Sequence, residues 1–274
     1  MMRTMKKKLL LNFLDHPRHW PVIFWGAFIV AAGISLWALL SFHFWGTHDD
    51  NVYEIWLNSF DELIRSGQLF PALVKDFWFE HGSPTFVFYP PLFFYLAEVP
   101  RLLGASLMVA VRIIVGLSFV ASFFTMYLLA KELWGRWGGL LAGLLYLTAP
   151  YHFALIYIRG AYPENLAYGL FPLGLWFIYK VFKSGNQLYI IGLAASLAAL
   201  ITTNLPALLV FCLLALLWVG GLAWLEKRFP AVDLGLGVFG ALGLSAFYFL
   251  PAILNLGVVQ PANLTTGSTY SPIL

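Results

Sequence analysis

"FVFYPPLFFYLAEVPRLL", residues 86–103, decides the fold of this chain. The stretch is apolar, yet it is broken by Pro90-Pro91, Glu98, Pro100 and Arg101. If it crosses a membrane, every later segment changes side. That a membrane is involved follows from composition. The chain has 274 residues, of which 61% are hydrophobic and 11% charged, and its mean hydropathy is +0.80. A soluble domain of this size carries about 25% charged residues. Lipid must solvate this one, as an all-α, polytopic helical membrane protein.

The uninterrupted apolar runs lie at 21–42, 106–130, 137–158, 165–182, 188–204, 205–225 and 234–253. Basic residues choose between the two topologies, because they gather on the cytoplasmic side. If 86–103 does not cross, Arg3, Lys6, Lys7, Lys8, Arg18, Lys131, Arg136, Lys180, Lys183, Lys227 and Arg228 lie inside, and only Arg65, Lys75, Arg101 and Arg159 lie outside. If it does cross, the two sides become nearly equal. The expectation is therefore about seven transmembrane helices, with 86–103 interfacial or re-entrant. Backbone broken by Pro-Pro is tolerated at membrane depth only where protein or a water-filled cavity satisfies it.

The rest of the organisation follows. Residues 1–20 form a cytoplasmic N-terminus. The first run is too long for a signal-peptide core and reads as an uncleaved span. Residues 43–105 form one large external loop, and 251–274 an external C-terminal segment, all within a single module over 1–274. Within the loop, Val52, Ile55, Trp56, Phe60, Leu63 and Ile64 share one helical face, and Gly67 follows as a stop. This predicts an amphipathic helix on the outer membrane surface. Cys212, the one cysteine, excludes an internal disulfide and reads as a small core hydrophobe.

Charged residues are scarce, so their positions carry information. "FWGTHDDNVYEIW", 44–56, puts His48, Asp49 and Asp50 at the mouth of the first span. One reading is helix capping by Asp49, Asp50 or Asn51, with Asn51 and Glu54 at capping-box spacing. The other is a general base, or a metal-binding carboxylate, facing a substrate that arrives from lipid. In "APYHFALIYIRGAYPENLAYGLFPL", 149–173, Arg159 and Glu164 flank a tight turn. They form either a local ion pair or a phosphate site, for which the planar arginine fork is suited. Arg112 lies inside the run 106–130, where a charge is costly without a partner, a polar cavity or a route outward to water. His152, after Pro150, reads as a satisfied buried histidine or a ligand contact. Asn204 sits in a turn between two runs, from which it can add a polar contact.

These residues together carry a resemblance. The order is one span, an Asp-rich start to an external loop, "GQLFP", "GSPTFVFYPPLFFYL", an early Arg in the next span, and then the 149–173 stretch. Over roughly 43–256 the chain resembles membrane glycosyltransferases of the GT-C fold. More narrowly, it is similar to bacterial membrane proteins labelled 6-pyruvoyl-tetrahydropterin synthase-related, a label that implies no pterin chemistry here. The resemblance implies inverting transfer of a hexose or pentose from a polyprenyl-phosphate donor to an acceptor, with Asp49 as base and Asp50 its close competitor. It implies Arg112 and Arg159 on the departing phosphate, and His48, Tyr89, His152, Glu164 and Asn204 as further substrate-binding positions. It names no cofactor beyond the donor; metal dependence varies across the fold, so a divalent metal stays open and no metal ligand is assigned. The implied setting is a bacterial cell membrane, with the active face external and membrane lipid, the lipid-linked sugar and an acceptor glycan, lipid or protein as partners. No nucleic-acid partner is expected. Members of the fold are usually longer, so the chain reads as an N-terminal fragment or a short relative. A lipid-linked-glycan flippase or transporter subunit, or a non-catalytic scaffold, are the alternatives from other classes.

Overall fold

The computed structural model describes residues 19–40, 46–75, 77 and 82–258. The expectations for 1–18 and for the end of the C-terminal segment lie outside those residues. The described chain is helical, with one isolated antiparallel bridge between Val74 and Ser83. In order, its helices are α1 (Trp20–Leu40), α2 (Asp50–Arg65), α3 (Thr85–Phe88), α4 (Leu92–Leu102), α5 (Leu107–Leu147), α6 (Pro150–Ala154), a π-turn (Leu155–Arg159), α7 (Tyr162–Ser184), α8 (Gln187–Ile201), α9 (Leu205–Glu226) and α10 (Ala231–Leu254).

Helix α5 shows how the sequence folds the bundle. Its 41 residues would reach about 60 Å if straight, twice a hydrocarbon core. Gly135 breaks it, with φ 70° and ψ −176°, a backbone that side chains disfavour. The two limbs fold back on each other. A Cβ on Gly139 would lie 2.9 Å from the Tyr127 ring, and one on Gly143 would lie 3.0 Å from the Phe123 ring. The two glycines, four residues apart, let the limbs approach closely, the usual device of helix pairs in lipid. The runs expected at 106–130 and 137–158 are these two limbs, the second prolonged through α6 and the π-turn.

Among the described residues, four helical stretches are long and apolar enough to cross a membrane: Trp20–Leu40, Leu107–Arg159, Leu205–Glu226 and Ala231–Leu254. The second, at 53 residues, fits only as the hairpin. Helix α7 matches the run 165–182 with 23 residues. Helix α8 has 15 residues, about 22 Å. The deciding stretch 86–103 becomes α3, Tyr89-Pro90-Pro91 and α4. With 11 residues, α4 is about 16 Å long, half a hydrocarbon core.

Two buried clusters hold the module. One joins α1, α2, α4 and α5 through aromatic rings, such as Phe24 and Phe28 on Phe123. The other joins α7, α8 and α9. Glycines again set the spacing, for a Cβ on Gly169 would lie 3.1 Å from the Ser118 carbonyl oxygen. At one end of the bundle Lys180 pairs with Glu132 and Lys183 with Glu226, and Arg136 lies over the Trp20 ring. The opposite end gathers 48–49, 89–92, 158–164 and 202–204.

Two expectations are corrected. Trp56, Phe60, Leu63 and Ile64 of the expected α2 face do pack on the core, but Val52 and Ile55 point outward and Tyr53 and Leu57 take their place as buried residues. The reason is the neighbour: α4 offers Phe93, Phe94 and Tyr95, and the aromatic residues of α2 turn to meet them. Cys212 is exposed on α9 rather than buried in the core, because α9 packs one face on α7 and leaves the other to lipid.

Candidate functional site

The site is built on a chain reversal. The π-turn Leu155–Arg159 ends at Gly160, whose φ of 71° is left-handed. Ala161 N–H then bonds back to the Leu155 carbonyl at 2.8 Å, and Tyr162-Pro163 opens α7. The start of the external loop is stitched to this reversal by its backbone. His48 N–H donates to the Ile158 carbonyl at 3.1 Å, and Asp49 N–H donates to the Arg159 carbonyl at 3.0 Å. These two bonds bring the loop acid to the arginine, about 110 residues away in sequence.

Asp49 occupies the N-cap position of α2, but its side chain makes no capping hydrogen bond. Its backbone carbonyl accepts from Val52 and Tyr53 instead. The capping reading therefore does not account for the Asp49 carboxylate, which is half-buried beside an exposed His48. The Asp50 side chain lies outside the described residues.

Arg159 and Glu164 form the ion pair that their spacing allowed, Nη1 to Oε2 at 2.9 Å. Tyr151 completes it, donating its hydroxyl to Glu164 Oε1 at 2.7 Å and accepting from Arg159 Nη1 at 3.3 Å. The Arg159 side chain is still 44% exposed, so an anion can reach it. A second pair stands close by: the hydroxyls of Tyr53 and Tyr89 lie 3.0 Å apart. Burial first, and the nearby carboxylates of Asp49 and Glu164 with it, push both phenols above the ordinary tyrosine range. Both therefore remain neutral hydrogen-bonding groups at any working pH. Trp56 stands edge-on to Tyr89, ring centroids 4.6 Å apart.

The remaining predicted positions divide. His152 is enclosed, 3% exposed, and its Nδ1 pairs with Asn165 Oδ1 at 2.8 Å, one residue inward of Tyr151 and Glu164. The side-chain oxygen of Asn204 caps α9, accepting from Ala207 N–H at 2.9 Å. Its turn is tied to the Pro-Pro segment, since Leu92 N–H donates to the Thr202 carbonyl at 2.8 Å. Arg112 is half-buried in the second turn of α5. Among the described residues, no three His, Cys, Asp or Glu side chains are grouped as metal ligands.

Sequence reasoning missed Tyr53, Tyr151 and Asn165. Tyr53 carried a usable signal, since it lies four residues after Asp49 and so on the same side of a helix. It missed a second charged group altogether, in which Asp61 accepts from Arg65 Nε at 2.7 Å and from Arg101 Nη2 at 2.8 Å.

Fold and site define a class, that of all-α, multi-pass membrane proteins with a cluster of acid, arginine and tyrosine side chains at one end of the bundle. Residues 89–247 match the family described as dolichyl-phosphate-mannose-protein mannosyltransferase, and the chain belongs to that family. It is a glycosyltransferase of the GT-C type, a class that takes its sugar from a lipid-linked donor in the membrane. The matched segment contains Tyr89, Arg112, His152, Arg159, Glu164 and Asn204, and begins after His48, Asp49 and Asp50. No curated protein matches the chain.

Proposed function

We propose that the chain transfers a hexose or pentose from a polyprenyl-phosphate donor to an acceptor hydroxyl at the external face of a bacterial cell membrane, with its N-terminus cytoplasmic. The observation that carries this reading is the backbone stitch that sets Asp49, with no capping bond on its side chain, beside Arg159. The orientation rests on the basic residues, which gather at the end of the bundle opposite the site. The narrower likeness to the 6-pyruvoyl-tetrahydropterin synthase-related proteins is kept only as a likeness in sequence order.

In the proposed step the acceptor oxygen attacks the anomeric carbon and passes its proton to the Asp49 carboxylate. The bond from the anomeric carbon to the phosphate oxygen breaks, and the phosphate leaves with the electron pair on the opposite face, which inverts the configuration. Arg159 and Arg112 stabilise the growing phosphate charge, as cations held in place before the reaction do. Tyr53, Tyr89 and Trp56 offer hydroxyls and an aromatic edge to the sugar, and His48 lies on the open side of Asp49. Glu164 orients Arg159. His152, being enclosed, supports the turn from below, and Asn204 shapes its rim.

The test is transfer of radiolabelled sugar from a panel of polyprenyl-phosphate hexoses and pentoses by the purified protein in lipid vesicles. Asp49→Asn keeps the shape and loses the basicity, and should lower turnover by about 10²–10⁴-fold while melting like the wild type. Full turnover in Asp49→Asn with loss in Asp50→Asn would move the base by one residue. Full turnover in both would remove this loop from the chemistry.

A further inference from the structure

Helices α2 and α4 lie side by side and run the same way. Tyr53 meets Phe93 and Phe94 near the start of both helices. Phe60 meets Phe94 and Tyr95 further along, and Asp61 meets Arg101 at the far end. Both helices therefore begin at the candidate site. Asp49 immediately precedes α2, and Tyr89-Pro90-Pro91 immediately precedes α4. Asp61 lies about 18 Å from Asp49 along α2.

At that far end the charges do not balance as a simple salt bridge. Asp61 is 5% exposed and holds both arginines, one on each oxygen. Arg101 Nη1 also donates to the Ala105 carbonyl at 3.1 Å, and Arg65 Nη2 to the Arg101 carbonyl at 3.4 Å. Glu98 lies three residues before Arg101, on the same side of α4, and is 3% exposed. Neither of its carboxyl oxygens receives a hydrogen bond, and its neighbour is the Asp61 carboxyl. Two buried carboxylates in contact cannot both stay ionised without a large penalty, so such pairs share a proton.

We propose that Glu98 is a positioning residue for the transfer site: as a neutral acid it donates to Asp61 and closes a four-residue clamp of Asp61, Arg65, Glu98 and Arg101 that holds α4 on α2, and when ionised it loosens that clamp and lets the Asp49 and Tyr89 ends shift. The positioning role rests on the glycosyltransferase reading above; the clamp does not. Burial, and then the Asp61 carboxylate, push the Glu98 carboxyl up to about 7. Burial works against the Asp61 anion, but hydrogen bonds from Arg65 and Arg101 overcome it and hold that group below the ordinary aspartate range. The charges acting on Glu98 are Asp61 and Arg65 from α2 and Arg101 on its own helix. The other helices packed on α4 are α5, which carries Arg112 in its second turn, and α7, whose Glu164 lies at the candidate site.

The direction of the pH effect follows. Glu98 binds its proton more tightly folded than unfolded. Its stabilisation is complete below pH 4.5, the ordinary value, and is lost as pH rises through about 7. Asp61 acts oppositely: its contribution is present above pH 3.8 and is lost as pH falls below that. The clamp is firm between these limits.

Glu98→Gln supplies a donor to Asp61 at every pH. The wild type should melt about 3–6 °C lower at pH 8 than at pH 5 through this group, and Glu98→Gln should lack that component. Hydrogen exchange of the α4 amides, corrected for the intrinsic pH effect, should accelerate above pH 7 in the wild type only. Turnover in vesicles should fall on the same limb in the wild type and stay level in Glu98→Gln. Equal pH slopes of melting and exchange in both proteins would overturn the clamp. A changed melting slope with an unchanged turnover profile would overturn the positioning role and leave a structural pair. If no polyprenyl-phosphate sugar is turned over while the melting slope moves as expected, the proposed function fails and the clamp stands.

Discussion

Gly143→Ala tests the hairpin that returns Arg159 to the site. A Cβ at position 143 would lie 3.0 Å from two Phe123 ring carbons and 3.0 Å from the Phe123 carbonyl oxygen. The ring has little room to turn, being fully buried against Phe24, Phe28, Phe124 and Tyr127. The carbonyl belongs to the backbone of the first limb and moves only with it. Alanine in a helix gains about 0.5–1 kcal/mol over glycine, whereas overpacking costs about 1–3 kcal/mol. The net is a loss of up to about 2 kcal/mol. Gly26→Ala on α1 is the control, because a Cβ there meets nothing within 4 Å, so only the helix gain remains. The two variants should differ by about 2–8 °C in melting temperature in one detergent, Gly143→Ala the lower. If Gly143→Ala melts with or above Gly26→Ala, the limbs are not packed through this glycine and the return of Arg159 needs another explanation.

Two further predictions concern topology and the arginines. A cysteine placed at Arg136, in a Cys212→Ser background, should be protected from a membrane-impermeant thiol reagent in intact cells; labelling there would invert the orientation of every later helix. Arg159→Lys and Arg112→Lys keep the charge and lose the fork, so each should weaken binding of a polyprenyl-phosphate analogue. An ion pair as exposed as Arg159 with Glu164 contributes about 0–1 kcal/mol, so Arg159→Lys should barely move the melting temperature; unchanged binding with a large loss of stability would make it a structural residue.

What the sequence revealed and what it hid have physical reasons. Apolar runs are long-range averages over about 20 residues, and lipid enforces them, so the helices fall within a few residues of the runs. The hairpin at Gly135 was legible because Arg136 and Lys131 interrupt the apolar pattern there. The orientation of α2 was legible only in part. Apolar residues lie on more than one side of it, and only the facing rings of α4 select Tyr53 and Leu57 over Val52 and Ile55. The ion pair of Arg159 with Glu164 was legible because both ends lie on one short turn. The bonds from His48 and Asp49 to the same turn were not, because they are backbone bonds closing a very long loop and leave no mark in side-chain identity. Glu98 with Asp61 was hidden for a related reason: two acids 37 positions apart look like solvated charges until two helices bury them together.

The backbone nature of the stitch also determines how cleanly the chemistry can be tested. Had the Asp49 carboxylate capped α2, replacing it would remove a helix cap worth about 1 kcal/mol and displace the helix along with the base. Instead, the N–H groups of His48 and Asp49 hold the loop to Ile158 and Arg159, and the Asp49 carbonyl receives the first donors of α2. None of these bonds involves the carboxylate. Substitution at position 49 therefore changes charge and basicity with the helix start left in place, and the same holds for the exposed His48. A loss of turnover in Asp49→Asn with an unchanged melting temperature would report on the proton acceptor itself. The Arg159 guanidinium differs, since its partner Glu164 would be left beside Tyr151 without a cation. For that reason the arginine is tested by lysine, which keeps the charge, and the acid by asparagine, which removes it.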